Sequence, residues 1–314
     1  MRTYKIFRGT DGINTRLDPA RIQYDHRTGI VDLAAAVNVA VDDTGRISRM
    51  KGFTHRQTGD IHSLFCEAGD VCLCVRGDAL SIVEPDLALT PIRNVHPGAL
   101  MSYAQVGHRI FYANGIEKGY VDVRDRLSHA WTQGAYVGPD THRQFIDPPS
   151  GTVIRYYNGR VLIAQGDTLW MTEPLDYTRV DPVRGHIPFE TGAITSIRPA
   201  GGCVYVSAGR AVWALVGRDV GTDVARLPVS DVPMVAGTDV NVFGRPDMLP
   251  DGRIYIDTRQ RVLGALWTAR DGIYYGGADG AVVNLTRDRL ADLPAATTGA
   301  AMISDHTYIT ILNP

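Results

Sequence analysis

Side chains able to do chemistry are plentiful in this 314-residue chain, but their spacing does not gather them. It has nine histidines, four cysteines and 34 acidic residues. The histidines are scattered, and none has a second His or Cys at a zinc-ligand spacing. His62 and Cys66 fall on one face of a strand by period-two counting, with no third ligand nearby. Cys66, Cys72, Cys74 and Cys203 contain no C-x-x-C pair and read as buried thiols of a reducing compartment. Asp42, Asp70, Asp167 and Asp271 represent the acids that a glycosidase would need in pairs, yet each lies in or beside a glycine turn. There the simpler role for a carboxylate is to hydrogen-bond its own backbone. Asp42-Asp43-Thr44-Gly45 lacks the ligand spacing and late Glu of a calcium loop and reads as an Asx hairpin turn. Gly-x-Ser-x-Gly, His-Glu-x-x-His and P-loop motifs are missing. No catalytic, metal or cofactor-binding residue is therefore assigned. No cofactor is expected, and neither is an enzymatic activity.

Contact chemistry is easier to place. Residues 1–58 hold ten basic and six acidic side chains. Arg2, Lys5, Arg8, Arg16, Arg21 and Arg27 precede any repeat, on an arm with too few periodic apolar residues to fold alone. They are candidate partner contacts. Two further stretches, around 122–151 and 217–251, interrupt the rhythm described below, and long inserts on a regular scaffold often carry contacts. The first contains Trp131, Tyr136 and His142, which complete the candidate contacts. Trp170 and Trp213, in third strands of their repeats, and Trp267, in a first strand, have apolar neighbours and are expected to pack between repeats. Trp131, in an insert, is the better candidate for exposure.

The elements that must position these residues are strands. Only three of the 32 basic residues are lysine (Lys5, Lys51, Lys118), and only five of the 34 acids are glutamate (Glu67, Glu84, Glu117, Glu173, Glu190). Glu and Lys favour exposed helix faces, whereas Asp favours turns. With 33 Gly and 17 Pro, such a chain is built from turns and strands, which excludes helix bundles and coiled coils. A net charge of −2 gives no global field toward nucleic acid or an acidic membrane. No apolar run approaches the length of a membrane span, and the first residues lack the apolar stretch of a signal peptide.

One unit recurs five times: an alternating strand, a glycine turn, an apolar strand, a second turn and a third strand. The copies begin at His62, Met101, Val153, Ile194 and Val262. Their paired glycines (69 and 77, 107 and 115, 159 and 166, 202 and 209, 272 and 280) are seven or eight residues apart. That spacing fits one strand of about five residues between two tight turns. Polar, proline-bearing stretches such as 86–95 and 179–189 would supply an outer fourth strand. Four antiparallel strands in about 40–50 residues describe a propeller blade rather than the hairpins of a β-sandwich. The ends read as two further hairpins, 37–53 and 300–312. Joined, they would make one blade that closes the ring and removes its loose sheet edges. The expectation is an all-β protein, a β-propeller of six blades with five as the rival count, closed by its N- and C-terminal strands. Residues 1–36 are an N-terminal arm, and 37–314 a single propeller domain carrying the two inserts.

The segment from Leu33 to Phe53, LAAAVNVAVDDTGRISRMKGF, resembles the N-terminal signature of tailed-bacteriophage virion proteins. Those proteins often read Ala-x-Asn-Val, an acidic turn with Gly, then basic residues and Gly-aromatic. Gly12-Ile13-Asn14 and Pro19 match the same style, while Arg49-Met50 stands where paired basic residues are common. The resemblance covers the N-terminal region, and the repeat rhythm of the rest is compatible with it. It implies a non-enzymatic structural part of a phage tail, of the propeller-bearing nozzle, hub or tail-tip type. The implied partners are other tail subunits, in a homo-oligomeric ring or a multi-protein assembly, with DNA passing nearby but not bound by sequence and with no membrane segment. The implied location is the virion tail, after synthesis in the host cytoplasm. No catalytic residue carries over. The alternatives are a carbohydrate-binding, receptor-recognising propeller, which needs Trp131 and neighbours at the surface, and a propeller glycosidase, which needs two carboxylates converging from different blades.

Overall fold

The computed structural model describes residues 9–23, 25, 27–42, 44–67, 71–135, 142–221, 223–243, 262–304 and 307–313. Among them the helical content is one 3-10 turn, Pro19–Arg21, capped by Asp18. The strands begin with a hairpin, β1 (Val39–Val41) and β2 (Ile47–Arg49). Blade 1 follows, with β3 (Ile61–Phe65), β4 (Cys72–Arg76), β5 (Ala79–Val83) and β6 (Leu89–Asn94). Blade 2 contains β7 (Ser102–Val106), β8 (Arg109–Ala113), β9 (Lys118–Asp122) and β10 (Leu127–His129). Blade 3 contains β11 (Val153–Tyr157), β12 (Arg160–Gln165), β13 (Thr168–Met171) and β14 (His186–Pro188). In blade 4 are β15 (Ile194–Ala200), β16 (Cys203–Ala208), β17 (Ala211–Asp219) and β18 (Asp223–Ser230). Blade 5 has β19 (Val240–Phe243), β20 (Val262–Ala269), β21 (Gly272–Gly277) and β22 (Val282–Asn284), and the C-terminal hairpin is β23 (Thr298–Ser304) and β24 (Thr307–Asn313). Each blade is a four-stranded antiparallel meander whose strands pair in chain order. This is the β-propeller the repeat implies.

Sequence pattern follows position in the blade. A second strand is covered on both faces by neighbouring blades, so it reads as a continuous apolar run. All six residues of β16 (CVYVSA) are buried, as are five of the six in β12. An outer strand faces solvent on one side and alternates: β18 (DVARLPVS) does so over its first half. The turn between β16 and β17 needs Gly209. Its φ is +57°, and a Cβ there would sit 1.6 Å from the Thr191 carbonyl oxygen, so no other residue fits.

The core is divided among blade interfaces. Blades 1 and 2 share a cluster around Leu73, Leu80, Ile110 and Tyr112, and blades 2 and 3 one around Phe111, Trp131, Ile154 and Ile163. Blades 3 and 4 join at Leu162, Leu169, Ile197 and Val206, and blades 4 and 5 at Tyr205, Ala214 and Trp267. A smaller cluster sets Val242 and Leu266 against Ile303 and Tyr308 of the C-terminal hairpin. Fully burying one such aliphatic side chain stabilises the fold by about 1.5–3 kcal/mol.

Four expectations need correction. First, the two end hairpins do not merge into a closing blade: β1–β2 and β23–β24 form separate two-stranded sheets. The N-terminal segment is engaged elsewhere. Thr10 N–H donates to the Gly45 carbonyl, and Thr15 N–H donates to Arg289 O, each at 2.8 Å. Arg289 in turn pairs with Asp32 at 2.8 Å and Asp11 at 3.2 Å. Second, the 217–251 stretch is not simply an insert. It contains the outer strand β18 and the inner strand β19, so Val262 opens a second strand and Trp267 lies on it. In blade 5 the glycine pair 272/280 flanks the third strand, whereas in the earlier copies the pair flanks the second. Likewise, 122–151 begins with the outer strand β10. Third, Cys66 and Cys72 are joined in a disulfide, while Cys74 and Cys203 are buried thiols. Phe65 pairs with Leu73 across β3 and β4, which makes Cys66 and Cys72 the next facing positions. Fourth, Trp131 belongs to the core.

Candidate functional site

The first strands of the blades and of the C-terminal hairpin surround one central cavity of about 1040 Å³. Phe65, Tyr103, Arg155, Arg198, Asn241 and Ile303, one from each of the six inner strands, contribute to its lining. Phe65 and Tyr103 stack at 5.1 Å between centroids and form an apolar part of the wall. Burial pushes the Tyr103 phenol far up, with the Cys74 thiol and the Tyr112 phenol adding to it.

Charge enters this wall from two adjacent blades. Arg155 sits at the middle of β11, where its Nη1 donates to Ser102 Oγ and to the Ile154 carbonyl, both at 2.8 Å. Arg198, in β15, donates through Nε to Asp239 Oδ2 at 2.7 Å and through Nη2 to the Asp239 carbonyl at 2.5 Å. Asp239, immediately before β19, is 4% exposed. Arg155 Nη2 lies 3.7 Å from the same Oδ2. Two guanidinium groups thus share one buried carboxylate. Burial, and then the Arg198 cation, push Arg155 down to about 10, while Asp239 and Glu67 act in the opposite direction. Buried charges of this kind are held by hydrogen bonds, and removing one partner strands the other.

A smaller cavity of about 400 Å³ lies between Arg16, Asp271, Tyr274, Asn284 and Arg287. Tyr274 donates its hydroxyl to Asp271 Oδ2 at 2.7 Å. Asp42 is the Asx turn its sequence suggests: Oδ1 accepts from the N–H groups of Thr44 and Arg46, each at 2.9 Å, and from the Thr44 hydroxyl. Asp167 accepts from the Thr168 hydroxyl, and Asp70 lies outside the described residues.

The sequence-derived contact residues do not converge on either cavity as a group. Arg2, Lys5, Arg8 and Tyr136 lie outside the described residues. Arg16 docks within its own chain, donating from Nε to the Leu290 carbonyl at 3.1 Å, and Arg21 and Arg27 are exposed. His142 is exposed too. Trp131 is 1% exposed, tilted against Phe111 at 4.8 Å, and its indole N–H donates to Tyr177 O at 2.6 Å. The loop that carries it is clamped to blade 3. Arg143 Nη2 pairs with Glu173 at 2.8 Å and Asp181 at 2.7 Å, and Arg179 donates to the carbonyls of Gly134 and Ala135. Exposed apolar side chains are spread over the described surface: Val37 and Phe53 are each 82% exposed, Val183 79%, Leu175 77%, Leu64 73%, Ile311 64% and Met302 54%.

Arg155, Arg198, Asp239 and Asn241 escaped the sequence reading. Their signal was a charged residue inside the first strand of copies three and four, where apolar alternation predicts none.

No protein-family model matches the sequence, and no curated protein does so either. Solved structures do. A streptogramin B lyase aligns with a TM-score of 0.50 at 10% identity, over 87% of this chain and 83% of the lyase. The WD40 domain of Neurospora crassa Pan2 aligns at 0.41 and 10%, over 76% of this chain and 67% of that one. The extracellular domain of a hybrid two-component system from B. thetaiotaomicron aligns at 0.46 and 9%, over 78% of this chain, which spans 32% of that protein. At such identities the lyase match shows the propeller fold alone.

Proposed function

We propose that this protein is a non-enzymatic structural component of a tailed-bacteriophage virion, a β-propeller scaffold that docks onto neighbouring tail subunits. The observation that carries the reading is the segment 33–53. It resembles the N-terminal signature of virion proteins, and it folds as a short hairpin flanked by the exposed Val37 and Phe53. A two-stranded hairpin is marginal in isolation, and exposed apolar residues beside open strand edges are suited to burial against a partner. Its docking energy would come from area removed from water, about 800 Å² per partner in a stable contact. The Cys66–Cys72 bridge suits a particle that leaves the cell, since disulfides persist on virion surfaces. Burial of Trp131 removes the aromatic platform on which a glycan-reading role was based.

The test uses the exposed pair. Val37→Asp and Phe53→Asp alter residues that support no core, so both variants should keep the wild-type circular dichroism and melting profile. Association with co-expressed products of the flanking reading frames, followed by light scattering and cross-linking, should be present in wild type and reduced at least tenfold in the variants. Flanking frames that encode metabolic enzymes, together with absence of the chain from purified particles by mass spectrometry, would end the proposal.

A further inference from the structure

The C-terminal hairpin is half a blade. Each of the five blades is a four-stranded antiparallel sheet, whereas β23 and β24 form a sheet of two among the described residues. Ala301 and Ile303 of β23 line the central cavity, so β23 is the inner strand and the unpaired edge of β24 faces away from the ring axis. The hairpin is anchored in that position. Ile303 and Tyr308 pack against Val242 and Leu266 of blade 5, and the Tyr308 hydroxyl donates to the Thr238 carbonyl at 2.7 Å. Ala300, Met302 and Ile311 lie on the opposite, exposed face.

Its edge also lacks the guards that the other outward edges carry. An open strand edge offers backbone N–H and C=O groups to any extended chain, and edges are ordinarily blunted by proline, charge or brevity. The outer strand β6 contains Pro91 and Arg93, and β18 contains Arg226 and Pro228. The outer strands β10, β14 and β22 are three residues long. In contrast, β24 reads Thr-Tyr-Ile-Thr-Ile-Leu-Asn, seven residues with neither charge nor proline, five of them β-branched or aromatic.

We propose that β24 pairs antiparallel with β24 of a second copy of this chain, about a two-fold axis through Thr310. The strand itself selects that occupant. An uncharged edge leaves a charged partner strand without counter-charges, whereas a second β24 matches it in length, charge and side-chain type. Two hairpins joined edge to edge run β23-β24-β24-β23, which restores the four antiparallel strands of every blade in this chain. With Thr310 opposite its own copy, Ile309 faces the second copy's Ile311 on the exposed side. Tyr308 then faces the second copy's Leu312 on the other side, because directly opposed residues share a face. An isologous contact closes at two copies, so it covers the edge instead of propagating it. An edge about 24 Å long is a small contact beside a standard interface of about 800 Å² per partner, so the expected affinity is micromolar. The contact does not depend on what the exposed Val37 and Phe53 dock onto.

Sedimentation equilibrium of the full chain tests this. Wild type should pass reversibly from monomer to dimer across the micromolar range and stop there. Ile309→Lys with Ile311→Lys sets like charges opposite each other in the two-fold register and should weaken the dimer at least tenfold. Ile309→Lys with Ile311→Glu sets opposite charges there and should dimerise within about threefold of wild type. Both positions lie on the face turned away from blade 5, so circular dichroism and melting should stay as in wild type. Should a variant fail to fold, wild type alone suffices: amide exchange at residues 308–312 should slow as protein concentration rises. Val37→Asp with Phe53→Asp should dimerise as wild type does. A wild-type chain that stays monomeric, with amide exchange independent of concentration, would overturn the proposal, and so would growth beyond the dimer. Equal affinity in the two lysine-bearing variants would overturn the register. Loss of the dimer in the Val37 and Phe53 variant would move the contact to the N-terminal hairpin and overturn the role of β24.

Discussion

Replacing Trp131 distinguishes a core anchor from a surface aromatic. In the structure its ring is 1% exposed and packs on Phe111 in the cluster shared by blades 2 and 3, while its N–H reaches Tyr177 O at 2.6 Å. Trp131→Ala removes the ring, opens a cavity between blades and leaves the Tyr177 carbonyl without this donor. Buried Trp→Ala changes cost about 3–5 kcal/mol. Trp131→Phe keeps much of the packing and loses the hydrogen bond, so about 1–2 kcal/mol is expected. Urea unfolding followed by far-ultraviolet circular dichroism gives both values. Acrylamide quenching of wild type and Trp131→Phe isolates the Trp131 emission, which should be shielded. An alanine variant within about 1 kcal/mol of wild type, with freely quenched Trp131 emission, would refute the buried-anchor argument and return Trp131 to the surface.

Alkylation of the unfolded, unreduced protein should label Cys74 and Cys203 and leave Cys66 linked to Cys72 by mass spectrometry; labelling at all four positions would remove the bridge. In the native state Cys203 should resist alkylation near pH 8, because burial pushes its thiol up to about 11. Burial raises Asp181, but the Arg143 guanidinium and the N–H groups of Val183 and Arg184 outweigh it and hold the carboxyl below its ordinary 3.8. A carboxylate depressed in the folded state contributes stability above its unfolded value, and that contribution is lost as pH falls through the folded value. Arg143→Met should therefore cost about 1–3 kcal/mol at neutral pH. It should also flatten the fall in stability below about pH 4, as measured by urea midpoints across pH.

How far the sequence carried can be judged residue by residue. Glycine turns and apolar second strands marked blades 2, 3 and 4, because tight turns and double-sided burial leave a local imprint. Blade 5 slipped by one strand because its first strand, Val240–Phe243, is short and lies far along the chain from Val262. The disulfide was within reach: Cys66 and Cys72 lie three residues either side of Gly69, so a hairpin centred there sets them opposite each other. Trp131 was not, since its cover comes from Phe111 and Tyr177, and nothing in Ala130-Trp131-Thr132 encodes that meeting. The Arg155–Arg198–Asp239 group depends on the same kind of distant encounter. Only the misfit of a charge in an inner strand was local.

Each hydrophobic cluster of this propeller is shared by two consecutive members of the series. Among the described residues, none ties the C-terminal hairpin back to blade 1. Apolar packing therefore runs through the described members as a row, and the ties described between the two ends are polar: Thr15 N–H to Arg289 O, and Arg289 to Asp11 and Asp32. A disturbance in blade 3 is resisted by apolar clusters on both sides, whereas in blade 1 or the final hairpin an apolar cluster lies on one side, as in linear repeat arrays. Breathing motions should collect where polar ties rather than an apolar cluster join the ends, while the middle blades keep their shape.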